Sequence, residues 1–308
     1  MVNKPMRIVV TGSNGDIGPF VLEYARAQGA DVLGVDLSGS GAGVKHRQAG
    51  VKTIPPPAVT GSYRYSDLTD LGQVYDVLDG ADAVINLAAI SDPYIFPAAR
   101  TFITNVAISY NVLLAAARLG IRRIVSASSI QVHHPAFPHV PIHYDYLPFD
   151  EDHPPDPHDE YGLSKLVGEQ CAETFARHYG LTVVSLRITW SVRPEQMSMF
   201  PLHVPDVLPA PARGKRWLPS PFYVDARDCA RACYLAATVD LPASTHTPLI
   251  ISAPDSCLDM PSPEVARRFF PQARILPELV DYASIASGKR AEQVLGFKTQ
   301  YSWRNQIV

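Results

Sequence analysis

Cysteine is scarce in this chain: four among 308 residues, with no Cys-x-x-Cys pair and no histidine beside any of them. Cys171, Cys229, Cys233 and Cys257 therefore read as buried free thiols, which argues against a zinc site or redox chemistry at sulfur. Excess positive charge is lacking too, since the net charge is −3 and no basic stripe occurs. Nucleic acid and anionic membrane surfaces are thus not expected as partners. No apolar run reaches membrane-spanning length, and "MVNKPMRIVVTGSNG" leads directly into a strand and glycine turn, leaving no room for a signal peptide. A cytoplasmic protein with a small-molecule partner is the expectation.

What is present is a core-forming composition, 46% hydrophobic, arranged in a strand–helix alternation. "MRIVVTG", "DVLGVD" (31–36), "DAVINLAA" (82–89), "RRIVSASS" (122–129) and "LTVVSLRIT" (181–189) are short and almost wholly apolar, as strands covered by helices on both faces must be. "SYRYSDL" (62–68) is a further candidate strand and "LIISA" (249–253) a late one. The pattern predicts an α/β chain with a doubly wound parallel sheet. Three stretches interrupt it: 38–61 is rich in Gly and Pro, 131–160 holds seven of the 28 prolines and six of the ten histidines, and 194–221 holds seven more prolines. So much proline excludes regular structure there. Helical stretches are expected at about 261–270 and 280–295.

"VVTGSNGDIGPFVLEYA" sets Gly12, Gly15 and Gly18 between a strand and a helix, with Asn14, Asp16 and Ile17 completing the turn. Small residues keep such a turn tight and let backbone approach a pyrophosphate, while the helix N-terminus offers its free N–H groups. Asp36 ends the next strand 18 residues after Gly18, where a carboxylate can accept the ribose hydroxyls. Leu37 follows it, so a 2′-phosphate would meet an acid and no cation. NAD is the expected cofactor.

The Gly-x-x-Gly-x-x-Gly spacing, with "NLAA" (86–89), "TNV" (104–106), "SASS" (126–129), "YGLSK" (161–165) and "YVDARDCARA" (223–232), resembles the extended short-chain dehydrogenases/reductases, the group of NAD-dependent sugar epimerases and dehydratases. The resemblance implies a Rossmann-type NAD-binding domain over 1–189, rejoined by a helix at 226–239 and the strand at 249–253, and a smaller C-terminal substrate lobe formed mainly by 190–308. It places Asp67 and Leu68 at the adenine, and Leu87, Ala88 and Ala89 along the cofactor cleft. It also implies a homodimer packed through helices at about 97–118 and 161–179.

Tyr161 and Lys165 lie four apart at a helix start, hence on one face. Oxidising a secondary alcohol removes a proton as well as a hydride, and a phenol with pKa about 10 becomes a base near neutrality only if positive charge lowers it. Lys165 supplies that charge, and a serine hydroxyl can hold the substrate oxygen. Family spacing assigns that serine as Ser129, with Ser128 the second choice. By resemblance, Asn105 would position a carbonyl or water that relays protons to Lys165. Leu163, Val167, Cys171 and Phe175 form an apolar stripe expected to face the core, leaving Gly168 and Ala172 to keep the reactive side open.

Isoleucine at 130 and glutamine at 131 replace the acid pair of the family's 4,6-dehydratases, which disfavours dehydration. Arg213, Lys215 and Arg216 do not reproduce the diphosphate-binding pattern of nucleotide-sugar epimerases, so a nucleotide-free substrate is plausible. The usual Tyr-Gly after the valine is replaced by His133 and His134. The histidines 133, 134, 139, 143, 153 and 158, with Asp145, lack the spacing of a metal site and read as a substrate-covering loop. The expected protein takes a hydride from a sugar-like secondary alcohol, as an epimerase or net dehydrogenase; the alternatives are a nucleotide-sugar epimerase proper and a catalytically silent NAD-sensing regulator.

Overall fold

Seven parallel strands arise from the short apolar runs: β1 Arg7–Thr11, β2 Asp31–Asp36, β3 Tyr63–Tyr65, β4 Ala83–Asn86, β5 Arg123–Ser129, β7 Thr182–Ile188 and β10 His246–Ile251. Their order across the sheet is β10-β7-β5-β4-β1-β2-β3. The computed structural model describes residues 4–37, 61–92, 95–135, 140–204 and 221–306. Travel across the sheet reverses at β1, which lies between β4 and β2, so a crevice opens beyond the C-terminal ends of β1 and β4. The stretches 38–60 and 205–220, with Arg213, Lys215 and Arg216, and His139 lie outside the described residues.

Alternate strand residues feed two cores. Ile8, Val10, Ile85, Val184 and Leu249 pack under α1 (Gly18–Ala27) and α5 (Ala226–Thr238). Val9, Val84, Ile124 and Val183 pack under α2 (Leu71–Leu78), α3 (Ala98–Leu119) and α4 (Glu160–Tyr179). The central strands are thereby buried on both faces, whereas the edge strand β3 stays largely exposed. Cys229 and Cys233 are wholly buried in the first core, as small hydrophobes. One expectation is corrected here: α3, at 22 residues, is long and apolar enough by composition alone to cross a membrane. In this fold it flanks the sheet, and its Asn105 and Asn111 bond to the loops beside it.

Beside the sheet lie two small parallel pairs, β6 (Tyr146–Leu147) with β11 (Arg274–Ile275) and β8 (Trp190–Val192) with β9 (Tyr223–Asp225). A further core unites Tyr144, Leu147 and Phe149 with Phe222, Val265 and Phe270, the last two from α6 (Ser262–Phe269) and its exit. Residues 142–149, within the stretch 1–189 read as one unit, thus pack with the late chain. Helix α7 (Lys289–Leu295) is shorter than the expected 280–295, because Ile285 is buried and the backbone of 285–287 pairs with Phe149. The candidate strand 62–68 ends at Tyr65, since Leu68 turns into the core and Asp70 caps α2.

Candidate active site

Gly12 leaves β1 with φ of +66°, and a Cβ there would come within 2.7 Å of the Leu87 and Ala88 backbone. A Cβ on Gly18 would lie 2.5 Å from the backbone of Ser13. The fold itself therefore requires these two glycines, one to bring the turn against the exit of β4 and one to bring α1 against the turn. Gly15 differs: it is exposed, and its Cβ would meet only Gly12 O, at 3.3 Å. The room it leaves lies at the start of α1, which has no side-chain cap and no acid in its first turn, a place that fits a pyrophosphate. Asp36 is oriented for the ribose: its Oδ2 accepts from Asn14 N at 2.9 Å and its Oδ1 from Leu37 N at 2.7 Å. Each oxygen keeps capacity for one hydroxyl more. Leu87, Ala88 and Ala89 are half-buried at the β4 exit. Leu68, expected at the adenine, is 4% exposed in the core, so only Asp67 and the main chain present themselves there.

Ser129 ends β5, and its Oγ accepts from Gln131 N at 3.1 Å, with the hydroxyl close enough to the Tyr161 phenol to favour phenolate. Ser128 Oγ is committed to Glu169 Oε1 at 2.6 Å, which distinguishes the two serines. Asp159 caps α4 by accepting from Gly162 N at 2.7 Å. A Cβ on Gly162 would stand 2.7 Å from Gln131 O, so glycine lets the first turn of α4 close on residues 130–132 and bring Tyr161 to Ser129. Lys165 Nζ donates to Ala127 O at 2.6 Å and lies 5.5 Å from the Tyr161 ring centroid. Burial pushes the phenol up to about 12, with Ser129 lowering it and Asp159 raising it further. Burial likewise brings Lys165 down to about 8, opposed by the charge of Glu169. The expected lowering of Tyr161 by Lys165 is not found among the protein's own groups: burial dominates, and the group that lowers the phenol is Ser129.

Two other expectations change. Asn105 clamps the segment after β4: its Oδ1 accepts from Ile90 N at 2.8 Å, and its Nδ2 donates to Ile90 O at 2.9 Å and Ser164 Oγ at 3.1 Å. The carbonyl on Lys165 is that of Ala127, whereas the one that Asn105 holds is that of Ile90, so that Asn105 joins the cleft wall to α4. The buried face of α4 carries Tyr161, Lys165, Gly168, Glu169, Ala172 and Phe175, whereas Leu163 is 43% exposed and Val167 and Cys171 only half-buried. Gly168 serves close approach of α3, its Cβ position lying 3.2 Å from Ser109 Oγ. The small residues there pack two helices and do not keep an open face.

The family model described as "NAD dependent epimerase/dehydratase family" matches residues 8–244. The chain belongs to that family. It is 28% identical over 257 residues to L-arabinose 1-dehydrogenase (NAD(P)(+)) of Haloferax volcanii, covering 81% of this chain and 89% of the relative. To uronate dehydrogenase of Pseudomonas putida it is 27% identical over 63% of this chain and 64% of the relative. Among solved structures, a short-chain dehydrogenase/reductase superfamily protein from Agrobacterium tumefaciens with bound NAD superposes with a TM-score of 0.68 at 23% identity, over 98% of this chain and 94% of that one. The chain is an NAD-dependent enzyme of the extended short-chain dehydrogenase/reductase type, and its relatives act on sugars.

In the histidine-rich stretch, three of the rings belong to a core. His133, His134 and His153 are 1%, 5% and 5% exposed and pack with Tyr144, Phe149 and Phe222. His134 Nδ1 hydrogen-bonds the Tyr144 hydroxyl. His153 Nε2 accepts from Asp145 N at 3.0 Å. Burial holds His133 and His134 down to about 3, so both rings are neutral. His143 and His158 pair with Asp145 and Asp156 at 3.7 and 3.0 Å. The physical reason is burial: aromatic rings with one satisfied nitrogen fill a core well.

Sequence reading missed Glu169 and Arg187, a buried ion pair at 2.7 Å beside the site. A signal existed in each case. Arg187 interrupts a strand otherwise free of charge, which demands a buried partner, and Glu169 follows Lys165 by one helical turn.

Proposed function

We propose that this protein is an NAD-dependent dehydrogenase that oxidises a hydroxyl of a free sugar or sugar acid, with Tyr161 as base. The junction of Ser129, Tyr161 and Lys165 carries this reading: a strand-end serine hydroxyl beside a buried phenol, with a buried ammonium one turn along the same helix. NAD, when bound, supplies the hydride acceptor and a positive ring that favours phenolate. Gly12, Asn14, Gly15, Asp16, Ile17 and Gly18 hold the pyrophosphate and Asp36 the ribose, while Asp67, Leu68, Leu87, Ala88 and Ala89 bound the rest of the cleft. Ser129 holds the substrate oxygen, Tyr161 takes its proton, and Lys165 stabilises the phenolate that the cycle requires. Asn105 keeps the β4 exit fixed against α4.

Two relatives named for an unmodified pentose and for uronates support a substrate without a nucleotide. The test is NADH formation with aldoses, uronates and nucleotide sugars. Turnover with unmodified sugars or uronates alone is expected. A nucleotide sugar converted to its epimer, with NAD released only on denaturation, would establish the epimerase instead; NAD binding with no turnover on any of them would leave the regulator. We further infer a homodimer through the outer face of α3 and α4, where Ile103, Tyr110 and Leu163 are 64%, 45% and 43% exposed. Light scattering should give twice the chain mass, and Ile103→Lys should lower it; a wild-type monomer overturns the inference.

A further inference from the structure

Glu169 stands one turn beyond Lys165 on the buried face of α4, near enough for its charge to act on the lysine. Its Oε1 accepts from Ser128 Oγ at 2.6 Å and Arg187 Nε at 3.0 Å, and its Oε2 from Arg187 Nη2 at 2.7 Å. Arg187 Nη1 donates in turn to His133 Nε2 at 2.6 Å and Glu151 O at 3.1 Å. An arginine has only donors, so His133 presents a lone pair at Nε2 and carries its proton on Nδ1, facing Pro154 O at 3.4 Å. One carboxylate thus ties together the residue before Ser129, the helix bearing Tyr161 and Lys165, and, through Arg187, the turn that leaves Ser129.

Stability alone gives little reason for such a pair, because a buried ion pair commonly does no better than apolar side chains of the same volume. Glu169 is also the anion between two buried cations, Lys165 and Arg187. We propose that Glu169 and Arg187 are positioning residues of the hydride-transfer site: through Ser128 and His133 they fix Ser129 against Tyr161, and Glu169 supplies the counter-charge of the Lys165 ammonium. This rests on the reading of Tyr161 and Lys165 as base and activator. The other titratable groups around them are Asp159 at the helix start, His133 on the turn, and His246 on β10, which also senses Glu169.

The test compares Glu169→Gln and Ser128→Ala in the full chain with wild type, by pH–rate profile, NAD affinity and melting temperature. Glu169 raises Lys165, which titrates at about 8, so removing that charge lowers the first proton loss of the Tyr161/Lys165 pair. The acid limb of kcat/KM in Glu169→Gln should move to lower pH by about one unit, with kcat down about 100-fold and NAD affinity within about twofold. Ser128→Ala should lower kcat about tenfold and leave the limb in place. A purely structural pair would lower both melting temperatures without moving the limb, which overturns the proposal. If Glu169→Gln does not fold, Ser128→Ala decides, and a wild-type kcat there overturns it. Tyr161→Phe run in parallel separates the layers: turnover retained in that variant sinks the underlying assignment, whereas its loss beside wild-type Glu169→Gln and Ser128→Ala sinks only the present one.

Discussion

Two clusters of ionisable side chains flank the turn after β5, and they differ in how far their polar atoms are already used. Around His133 and His134, each ring has a close polar partner and aromatic neighbours, and both rings stay neutral, held down to about 3 by burial. Around Tyr161 and Lys165, burial acts in the same sense but stops short: the lysine is brought to about 8, within reach of working pH. The phenol there has a serine hydroxyl beside it and no hydrogen bond of its own among the described residues, which leaves it open to a substrate. Density of chemically capable residues thus marks the wrong cluster; incomplete satisfaction marks the other.

The sharpest way to break this contrast is Tyr161→Phe, which should lower kcat by about 1,000-fold while NAD still raises the melting temperature. Unchanged turnover on every accepted substrate would remove the distinction between the clusters. Lys165→Met should cost about 100-fold in kcat/KM near neutrality, because it removes the buried positive charge that stands one turn from the phenol. Its rate should keep climbing with pH where the wild type has levelled off, and a flat profile would dissociate lysine from tyrosine. A milder effect is expected at the glycine turn. Gly15→Ala should weaken NAD about tenfold with little change in melting temperature, whereas Gly18→Ala, forced against Ser13, should destabilise the fold by about 1–3 kcal/mol. Equal melting temperatures would erase the difference between a glycine kept for the ligand and one kept for the chain.

The smallest effect on turnover is expected from His134→Phe. It leaves the Tyr144 hydroxyl without its partner, at about 1–3 kcal/mol of stability near neutrality. The sign of the pH dependence separates this from a catalytic role. A histidine at about 3 in the fold and 6.5 in the unfolded chain gives stability present above 6.5 and lost progressively as pH falls toward 3. Each such ring contributes a slope of up to about 1.4 kcal/mol per pH unit in that window. Melting temperature should therefore fall less steeply between pH 6.5 and 5 in His134→Phe than in wild type. An unchanged slope would mean that the ring is not held neutral.

The sheet and the glycine turn were legible because they follow from local rules: strands buried on both faces are continuously apolar, and a strand-to-helix turn of glycines with Asp36 beyond it has few other uses. Tyr161 and Lys165 were legible as a pair, but the face of α4 was misread. Apolar periodicity pointed to Leu163, Val167 and Cys171, whereas α4 packs through the side that carries its ionisable groups and glycine. Periodicity registers hydrophobicity, and it misses a buried face built from satisfied polar atoms. The roles of His133, of Arg187 and of Glu169 depend on partners between 18 and 54 residues away in sequence, and no spacing rule reaches that far. The second core escaped for the same reason, since it joins residues 142–149 to residues beyond 222.

The contact between Gly162 and the Gln131 carbonyl has a consequence for how such an enzyme can diversify. The first turn of α4 and the turn after β5 meet there main chain to main chain, a contact that no change of rotamer nearby can alter. Side chains outside the Glu169–Arg187–His133 network can then change and reshape what is bound, while that main-chain contact is inherited unchanged.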